Sequence, residues 1–495
     1  MRHLTTACIF LSAALTQATA ISKRAALDDC LSSAAVPVDA AGSADWNADA
    51  APYNPRLTYK PVAIAVPTKV EHIQSAVSCA AKVGVKINAK AGGHSYASLG
   101  FGGEDGHLMV QLDRMYNITL NKSTNIATVQ AGARLGHVAT ELYNQGQRAI
   151  AHGTCPGVGV SGHALHGGFG MSSHLHGLAL DWIVGMAVVL ANGTTAHCSA
   201  TENSDLFWAM RGAGSNFGIA ASYEFDTFAA PSSVTVFSAS LPLTKANGAT
   251  GMAALQDYAL NTMPAELNMR VFASSYSTNL EGQYFGDPAG LAAALSPLFN
   301  KTGGSISQSQ SMGWLDALNH YANGKLDVTH PYSLQETIYA KSLELKGLNG
   351  TAATNFVDYW FDVAKKVSTR SWYFQLDFHG GKNSAIANAT RAATSSYAHR
   401  DKLFLIQFYD RQYSGAYPSD GFSFLDGWVA NVTAALTPSD WGMYINYADS
   451  SLSRATAQSV YYGASLPRLQ RIKAAVDPTE LFYYPQSIQP NAAAV

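Results

Sequence analysis

Charged residues are scarce in this sequence. They make up 13% of its 495 positions, about half the share found in a typical globular protein. The 32 Lys and Arg nearly balance the 34 Asp and Glu, so the net charge is −2. This balance excludes the basic surface with which proteins bind nucleic acids or anionic membranes. The 47% hydrophobic fraction instead predicts a large core, and the length suggests two to three domains.

Long apolar runs are also absent, because no stretch reaches the ~20 residues that span a bilayer. A shorter run, Leu4 to Leu15, follows Arg2 and His3 and precedes Ala18-Thr19-Ala20, a small-x-small cleavage pattern. We therefore predict a signal peptide over residues 1–20 and a secreted, extracellular protein with no membrane partner. An amphipathic first helix is the alternative, but the segment lacks the polar face that such a helix needs.

Cysteine is rare as well. Of the five cysteines, Cys8 leaves with the predicted signal peptide, and no CxxC or zinc-binding spacing occurs among the others. The remaining four allow two disulfides in three pairings. We expect one bond, Cys30–Cys79, and consider Cys155 separately.

Seven Asn-x-Ser/Thr sequons are present, and such sites accept glycans in secreted proteins. A surface with few charges and several glycans fits the predicted compartment. The predicted glycosylation sites are Asn117, Asn121, Asn192, Asn300, Asn349, Asn388 and Asn431.

Short helical and extended patterns alternate along the chain, which predicts an α+β fold. Thr68 and Glu71 have capping-box spacing ahead of a helix that ends at Gly84. The pattern over Leu466–Val476 predicts another helix, which stops before Pro478.

The segment Ala-Ala-Pro-Ser-Ser at 229–233 has the composition of a junction. We therefore predict a first domain over residues 53–228, a second domain over residues 232–440 and a C-terminal segment over residues 441–495.

The densest unusual segment runs from Gly153 to Gly170. Consecutive main-chain N–H groups in such a segment form an anion-binding nest suited to a pyrophosphate. Gly157, Gly159 and Gly162 match the GxGxxG dinucleotide motif literally. We reject a Rossmann fold because no apolar strand leads into the motif and Gly167-Gly168 interrupts the required helix.

Two further glycine clusters, Ala91–Tyr96 and Arg211–Gly218, lie in the same predicted domain. One such cluster is usually a turn, but three together predict one extended ligand cradled from several sides. Histidines also cluster here, yet the interleaved glycines disfavour a preformed four-ligand geometry. We therefore predict no metal site. These histidines are His163, His166, His174 and His176.

Several of these motifs match a known family. Gly92-Gly93-His94-Ser95-Tyr96 and Gly153–Gly159 resemble secreted flavoproteins of the berberine bridge enzyme type, in the vanillyl-alcohol oxidase class of FAD enzymes. Arg211–Gly218, Tyr444–Tyr447 and the ending from Asp477 to Ile488 match too, so the resemblance covers nearly the whole mature chain. Within the family, the chain most resembles fungal glucooligosaccharide and chitooligosaccharide oxidases. The resemblance implies a two-lobed FAD-binding domain, an α/β substrate domain with an antiparallel sheet, and a C-terminal segment that returns to the FAD domain.

The resemblance also implies an FAD attached by two covalent bonds. His94 would bond to the 8α-methyl group of the flavin, and Cys155 would form a thioether at ring position 6. Two bonds hold the ring where the substrate meets it, and they permit an open groove without loss of the cofactor. The other residues implied to bind the cofactor are Gly92, Gly93, Ser95, Gly153, Gly157, Gly159, Gly162 and Gly218.

Tyr447 is the implied catalytic base, with Asp377 beside it. A free tyrosine has a pKa of about 10, which is too high for a good base near neutrality. A carboxylate that accepts the phenolic proton would make the tyrosine a base, whereas the bare negative charge would raise the tyrosine pKa. The hydrogen bond or proton sharing must therefore dominate if Asp377 has this role.

The implied reaction oxidises the reducing end of an oligosaccharide. Tyr447 would remove the proton of the anomeric hydroxyl while the anomeric hydrogen passes as hydride to flavin N5. The lactone product hydrolyses to an aldonic acid, and dioxygen reoxidises the flavin to give hydrogen peroxide. We expect a monomer whose partners are the oligosaccharide and dioxygen. The residues expected at the sugar site are Tyr96, Gln375, Gln407, Tyr444 and Asn446, with Tyr373 as an aromatic platform.

Phe272 departs from the family pattern, because the glucooligosaccharide enzymes carry a polar sugar contact after the segment Asn268–Val271. A hydrophobic side chain cannot satisfy a sugar hydroxymethyl group, and a pocket that leaves a polar group unpaired discriminates against it. This leads to the hypothesis that the enzyme accepts xylose-type oligomers, which lack that group.

Two alternatives remain open at this point. The first is a related flavoenzyme that acts on an aromatic alcohol or an alkaloid, which the many aromatic residues do not exclude. The second is a secreted carbohydrate-binding or structural glycoprotein without redox activity, which leaves His94 and Cys155 unexplained.

Overall fold

The computed structural model describes residues 22–322, 325–326, 335–491 and 493. The predicted signal peptide lies outside these residues. The described chain combines helices with mainly antiparallel sheets, which confirms the predicted α+β class. None of the described helices has both the length and the apolar character needed to cross a membrane. The α-helices are α1 (22–33), α2 (Ala44–Asp49), α3 (Val70–Val83), α4 (Leu135–Gly146), α5 (Val160–Ala164), α6 (Ser173–His176), α7 (Ser204–Ala213), α8 (Gly248–Asn261), α9 (Pro288–Thr302), α10 (Trp314–Ala322), α11 (Gly350–Asp362), α12 (Ala389–Ala393), α13 (Asp420–Thr433), α14 (Arg454–Tyr462) and α15 (Leu466–Val476).

The strands form four sheets. They are β1 (Ala63–Ala65), β2 (Ile87–Lys90), β3 (Leu108–Gln111), β4 (Ile118–Asn121), β5 (Ile126–Gln130), β6 (Arg148–Ala149), β7 (Ile183–Val189), β8 (Thr195–Ser199), β9 (Ile219–Phe225), β10 (Phe228–Ala229), β11 (Val234–Ser240), β12 (Leu267–Ser274), β13 (Thr278–Tyr284), β14 (Ser305–Met312), β15 (Thr337–Leu345), β16 (Ser371–Phe378), β17 (Phe404–Gln412) and β18 (Trp441–Gly442). A parallel sheet has the order β1-β3-β2, and an antiparallel sheet has the order β4-β5-β9-β7-β8. Strands β6 and β10 form a small pair. The largest sheet is antiparallel, with the order β14-β11-β13-β12-β16-β17-β15-β18.

Strand β16 shows how the eight-stranded sheet separates the core from the site. Phe374 is fully buried and packs edge-to-face against Trp360 of α11 at 5.0 Å between ring centres. Because side chains alternate between the faces of a strand, Tyr373, Gln375 and Asp377 lie on the opposite face, where all three line a cavity.

Helix α3 begins one residue later than its capping-box pattern requires. Its N-cap residue is Lys69, which makes no side-chain cap hydrogen bond. The hydroxyl of Thr68 instead lies 3.4 Å from Nδ1 of His72. The capping-box prediction is therefore wrong, whereas the predicted end is confirmed by Gly84, which adopts a φ of 72°. Such a left-handed residue commonly ends a helix.

A disulfide joins α1 to α3 through Cys30 and Cys79, as expected. Cys198 is buried and reduced, and Cys155 is a free thiol. Covalent closure of the chain between these helices restricts the unfolded ensemble and thereby stabilises the fold.

The C-terminal segment contacts both β2 and the eight-stranded sheet. The N–H of Ile87 in β2 donates to the carbonyl of Leu481 at 3.1 Å. The amide of Asn88 donates to the carbonyl of Tyr483 at 3.1 Å. β18 belongs to the eight-stranded sheet through β15, so the segment reaches that sheet as well. The three domain boundaries stay predictions.

Candidate active site

A large cavity lies between the glycine-rich loops and the eight-stranded sheet. Its volume is about 450 Å³. The loop that follows β2, residues 91–96, and the loop over residues 153–162 both contribute to its wall. Side chains of β16 and β17 also line it, together with Phe482 and Tyr484 of the C-terminal segment. The three parts of the chain that sequence analysis singled out therefore meet at one place.

His94 projects into this cavity from the loop after β2. Its ring stacks on Tyr53 with 4.7 Å between the ring centres. Burial, and next the positive charge of Arg134, lower the pKa of His94 to about 3. The imidazole is therefore neutral at neutral pH and keeps the lone pair that a bond to carbon requires.

Cys155 faces the same cavity as a free, accessible thiol. The protein around it excludes enough water to raise its pKa, so the protonated thiol is the resting form. Tyr53, which stacks on His94, lines the same cavity, so His94 and Cys155 face one space.

Close backbone contact explains two of the glycines. A Cβ atom on Gly92 would lie 2.1 Å from the nitrogen of Gly159, and one on Gly159 would lie 2.2 Å from the nitrogen of Gly92. Any larger residue at either position would push the two loops apart. Gly93 has a φ of 73°, which side-chain-bearing residues rarely adopt.

Tyr447 and Asp377 line the cavity at the sheet side. Burial raises the pKa of Asp377 to about 7. Burial, and next the charge of Asp377, raise the pKa of Tyr447 well above its usual value. The charge alone thus opposes phenolate formation. Among the hydrogen bonds of the described residues, none joins these two side chains.

Polar side chains of neighbouring strands meet beside this pair. Gln375 of β16 lies opposite Gln407 of β17. Nε2 of Gln407 donates to the hydroxyl of Tyr96 at 2.7 Å, and Nη1 of Arg270 donates to Oε1 of Gln375 at 3.2 Å. These contacts fix two amide groups on the cavity wall.

Aromatic rings continue the same wall. Tyr96 stacks on Tyr447 with 6.0 Å between ring centres, and Tyr373 stacks on Tyr409 at 4.9 Å. Rings of this kind offer an apolar face and a polar edge, which suits a sugar ring with hydroxyl groups at its rim.

Comparisons with known proteins agree with this geometry. The FAD binding domain family matches residues 61–199, and the family described as berberine and berberine like matches residues 443–489. A xylooligosaccharide oxidase of Thermothelomyces thermophilus is 56% identical over 476 residues, which cover 95% of each chain. This chain belongs to the berberine bridge enzyme-like FAD-linked oxidases.

Solved structures of other members superpose closely on this oxidase. A xylooligosaccharide oxidase from Myceliophthora thermophila C1 in complex with xylobiose has a TM-score of 0.93 at 55% identity, covering 94% of this chain and 100% of that one. A glucooligosaccharide oxidase from Acremonium strictum with a 6-S-cysteinyl, 8α-N1-histidyl FAD has a TM-score of 0.91 at 44% identity, with coverage of 94% and 100%. The predicted family and its fold are confirmed.

The cavity residues of this oxidase fit FAD. Glycine backbones at Gly92 and Gly159 leave room for close approach of a ligand to main-chain N–H groups. A neutral imidazole and a protonated thiol, both suited to bonding with carbon, face the same space. Seven of the eight other residues predicted to bind the cofactor line the cavity. They are Gly92, Gly93, Ser95, Gly153, Gly159, Gly162 and Gly218.

Gly157 is the exception among the predicted cofactor residues. It does not line the cavity; its carbonyl accepts a hydrogen bond from Nη1 of Arg134 at 2.5 Å. Its role toward the cofactor stays a prediction.

Two residues predicted for the sugar site, Tyr444 and Phe272, are not among those that line the cavity. Tyr444 is 2% exposed, and its hydroxyl accepts from the N–H of Gly168 at 2.8 Å and from Nδ2 of Asn446 at 2.9 Å. Asn446 itself lines the cavity. Phe272 stacks on Tyr373 with 5.4 Å between ring centres, and Tyr373 itself lines the cavity.

Sequence analysis missed several cavity-lining residues, among them Tyr53, Arg270, Glu336 and Arg411. Arg411 is four residues after Gln407 on β17 and Arg270 is two residues before Phe272 on β12, so strand alternation from the predicted residues is a signal that finds both. Tyr53 and Glu336 carry no such signal, because they come from segments without a motif.

The histidines that clustered in the sequence do not form a metal centre. Within the described residues, no group of three or more His, Cys, Asp or Glu side chains is arranged to hold a metal ion. Nε2 of His163 accepts from the N–H of Gly153 at 3.0 Å, and His174 lies near the carbonyl of Ala265 at 3.2 Å. These histidines have structural partners.

Proposed function

We propose that this FAD-dependent oxidase oxidises the anomeric carbon at the reducing end of oligosaccharides, with xylo-oligosaccharides as the preferred class. The observation that carries the proposal is one cavity in which the His94 and Cys155 loops face Tyr447, Asp377 and an amide-and-aromatic wall. The similarity to a xylooligosaccharide oxidase that binds xylobiose supports the substrate class.

His94 and Cys155 are the residues that would hold the flavin, as histidyl and cysteinyl links do in the glucooligosaccharide oxidase. When bound, FAD would supply the two-electron acceptor for the hydride of the anomeric carbon and the route by which those electrons reach dioxygen. Two fixed attachment points restrict the ring to one orientation, and close, aligned contact is what hydride transfer requires.

Tyr447 takes the proton of the anomeric hydroxyl in this scheme. Asp377 must accept a proton in turn, because its charge by itself makes Tyr447 a poorer base. Catalytic hydrogen bonds are often long without substrate and tighten in the complex. A substrate hydroxyl beside Tyr447 would thus complete the relay from sugar to phenol to carboxylate.

The remaining wall orients the sugar. Gln375, Gln407 and Asn446 present amide groups to the sugar hydroxyls, while Tyr96 and Tyr373 present ring faces and edges. Oxidation of a sugar held in this way gives a lactone, which water hydrolyses to an aldonic acid.

Phe272 favours xylose units indirectly. It packs on Tyr373 and so fixes an apolar ring where a hydroxymethyl group would need a polar partner. A site that leaves such a group unpaired discriminates against the sugar that carries it.

The proposal also includes secretion and glycosylation of the protein. The predicted signal peptide, the Cys30–Cys79 disulfide and the sequons are the features that support it, since disulfides persist in oxidising compartments. All seven predicted glycosylation asparagines are exposed. A fall in apparent mass after treatment of the secreted protein with an N-glycosidase tests this part.

Substrate profiling tests the activity. The purified enzyme is mixed with xylobiose, cellobiose, chitobiose and an aromatic alcohol, and peroxide release and product mass are measured. We expect peroxide with xylobiose above all, together with a product that is one oxygen atom heavier. Peroxide with the aromatic alcohol alone would overturn the sugar proposal in favour of the alternative substrate class.

A further inference from the structure

The two loops that carry His94 and Cys155 lie directly against each other. Gly92 and Gly159 meet so closely that a Cβ atom on either would collide with the backbone of the other. The separation of the two attachment residues is therefore set by how these loops are joined.

Backbone hydrogen bonds join the segment before α4 to the Cys155 loop. The N–H of Leu135 donates to the carbonyl of Val158 at 2.9 Å, and the N–H of Gly136 donates to the carbonyl of Pro156 at 3.0 Å. This segment thus follows the Cys155 loop as one unit.

Arg134, in the same segment, extends this attachment to the His94 loop. Its Nη1 donates to the carbonyl of Gly92 at 3.0 Å and to the carbonyl of Gly157 at 2.5 Å. Gly92 is two residues before His94, and Gly157 is two residues after Cys155. One nitrogen with two hydrogens therefore bridges both loops. Arg134 as a whole is only 4% exposed.

The charge of Arg134 also acts on His94. After burial, it is the second cause of the low pKa of that imidazole. A cation held near the ring keeps the nitrogen unprotonated, which is the form that can bond to the flavin.

We propose that Arg134 is a positioning residue that fixes the His94 and Cys155 loops at the separation at which both can bond to one flavin ring. This inference rests on the proposed double attachment. Each bond would replace one flavin C–H and one imidazole N–H or thiol S–H by C–N or C–S; the two protons would leave to solvent, the two electrons would stay on the flavin, and one dioxygen per bond would accept them with two protons as hydrogen peroxide. Arg134 takes no part in this electron balance and determines only whether the second bond can form after the first.

The test compares Arg134→Met, Arg134→Lys and a control, Arg471→Met, with the wild type. Arg471 is an exposed residue of α15. Each protein is saturated with FAD in air, denatured and digested, and mass spectrometry measures the ratio of doubly to singly linked flavin peptides. Circular dichroism and total flavin content are measured in parallel.

We expect Arg134→Met to lower that ratio at least about fivefold, with the control unchanged. Arg134→Lys, which keeps the charge and part of the donor capacity, should give an intermediate ratio. A purely structural defect would lower folding and total flavin together and leave the ratio of the bound fraction intact.

A wild-type ratio in folded Arg134→Met overturns the inference. Should that variant fail to fold, a wild-type ratio in Arg134→Lys overturns it equally. A wild type without any doubly linked peptide refutes the proposed attachment itself, so the two failures are distinguishable.

Discussion

The chemistry of the site depends on the protonation of individual residues that face the cavity. Partial exclusion of water keeps His94 neutral, Cys155 protonated and Tyr447 phenolic at neutral pH. The first two are the forms that suit bonding to flavin carbons. The third is the wrong form for a base, so Tyr447 needs a proton acceptor at the moment of reaction.

Replacement of Tyr447 by Phe removes the proposed base while keeping its ring. A positioned general base contributes typically about 10²–10⁴-fold to a rate, and we expect a loss in this range. The measurement is the rate of flavin reduction by xylobiose after anaerobic mixing. Tyr413→Phe, at a 74% exposed position, is the control, and a Tyr447→Phe rate within about threefold of wild type would exclude the base role.

The pH profile tests Asp377. Because burial raises its pKa to about 7, the carboxylate that accepts the proton forms only as the pH rises through that value. The wild-type rate of flavin reduction should therefore increase through about pH 7, and Asp377→Asn should react slowly at every pH without this rise. The same rise in Asp377→Asn would show that another group titrates.

The sequence alone predicts some of these site residues and not others. His94 and Cys155 stand in local glycine patterns that a covalent cofactor imposes, so both were predicted and both line the cavity. Arg134 was not, because its function is defined by two carbonyls that are 42 and 23 residues away in the chain. Tyr444, predicted from the same motif as Asn446 and Tyr447, does not line the cavity as those two do, because neighbouring residues of a motif can face opposite sides of a wall.

Among the secondary-structure elements, strands β12, β16 and β17 form the substrate wall, because the side chains along each strand alternate between the two faces of the sheet. Phe272 lies opposite Gln375 across β12 and β16, and Tyr373 lies opposite Tyr409 across β16 and β17. The sheet thus places polar and aromatic side chains in neighbouring rows without any loop. A change in one strand should alter specificity through its neighbour.

Phe272→Ala tests this coupling. Loss of the ring that supports Tyr373 should make room for a hydroxymethyl group and reduce the preference for xylobiose over cellobiose about tenfold, a size typical of single-group discrimination. The ratio of kcat/KM for the two sugars is the measurement. Phe272→Leu, which keeps apolar volume, serves as the matched variant, and an unchanged ratio in Phe272→Ala would refute the coupling.

Element boundaries show what local patterns predict. Leu466–Val476 was predicted and found as α15, because Pro478 ends it locally. The start of α3 was predicted wrongly, since Thr68 pairs with His72 instead of capping. The order of the eight strands in the large sheet had no local signal at all, because it arises from contacts far apart in the chain.

At the scale of the whole molecule, stability includes buried groups remote from the reaction. Glu344 on β15 is completely buried, and the hydroxyl of Tyr397 donates to it. Burial raises its pKa from 4.5 to about 8. Between these values the folded protein binds a proton that the unfolded chain releases, so the contribution of Glu344 to stability falls as the pH rises.

Glu344→Gln should flatten that dependence. Buried histidines such as His166, whose pKa is lowered to about 4, act in the opposite direction and are present in both proteins. The measurement is therefore the difference in the free energy of unfolding between variant and wild type, from denaturant titrations across pH 4.5 to about 8. We expect the variant to gain relative stability as the pH rises, and a constant difference would contradict the assigned titration.

Anaerobic mixing with a blocked sugar tests the central claim, oxidation at the anomeric carbon, most directly. Xylobiose and its methyl glycoside differ only in whether the anomeric oxygen carries a proton for Tyr447 to take. Xylobiose should bleach the bound flavin, whereas the methyl glycoside should leave its absorbance unchanged. Bleaching by both sugars would show that another carbon is oxidised.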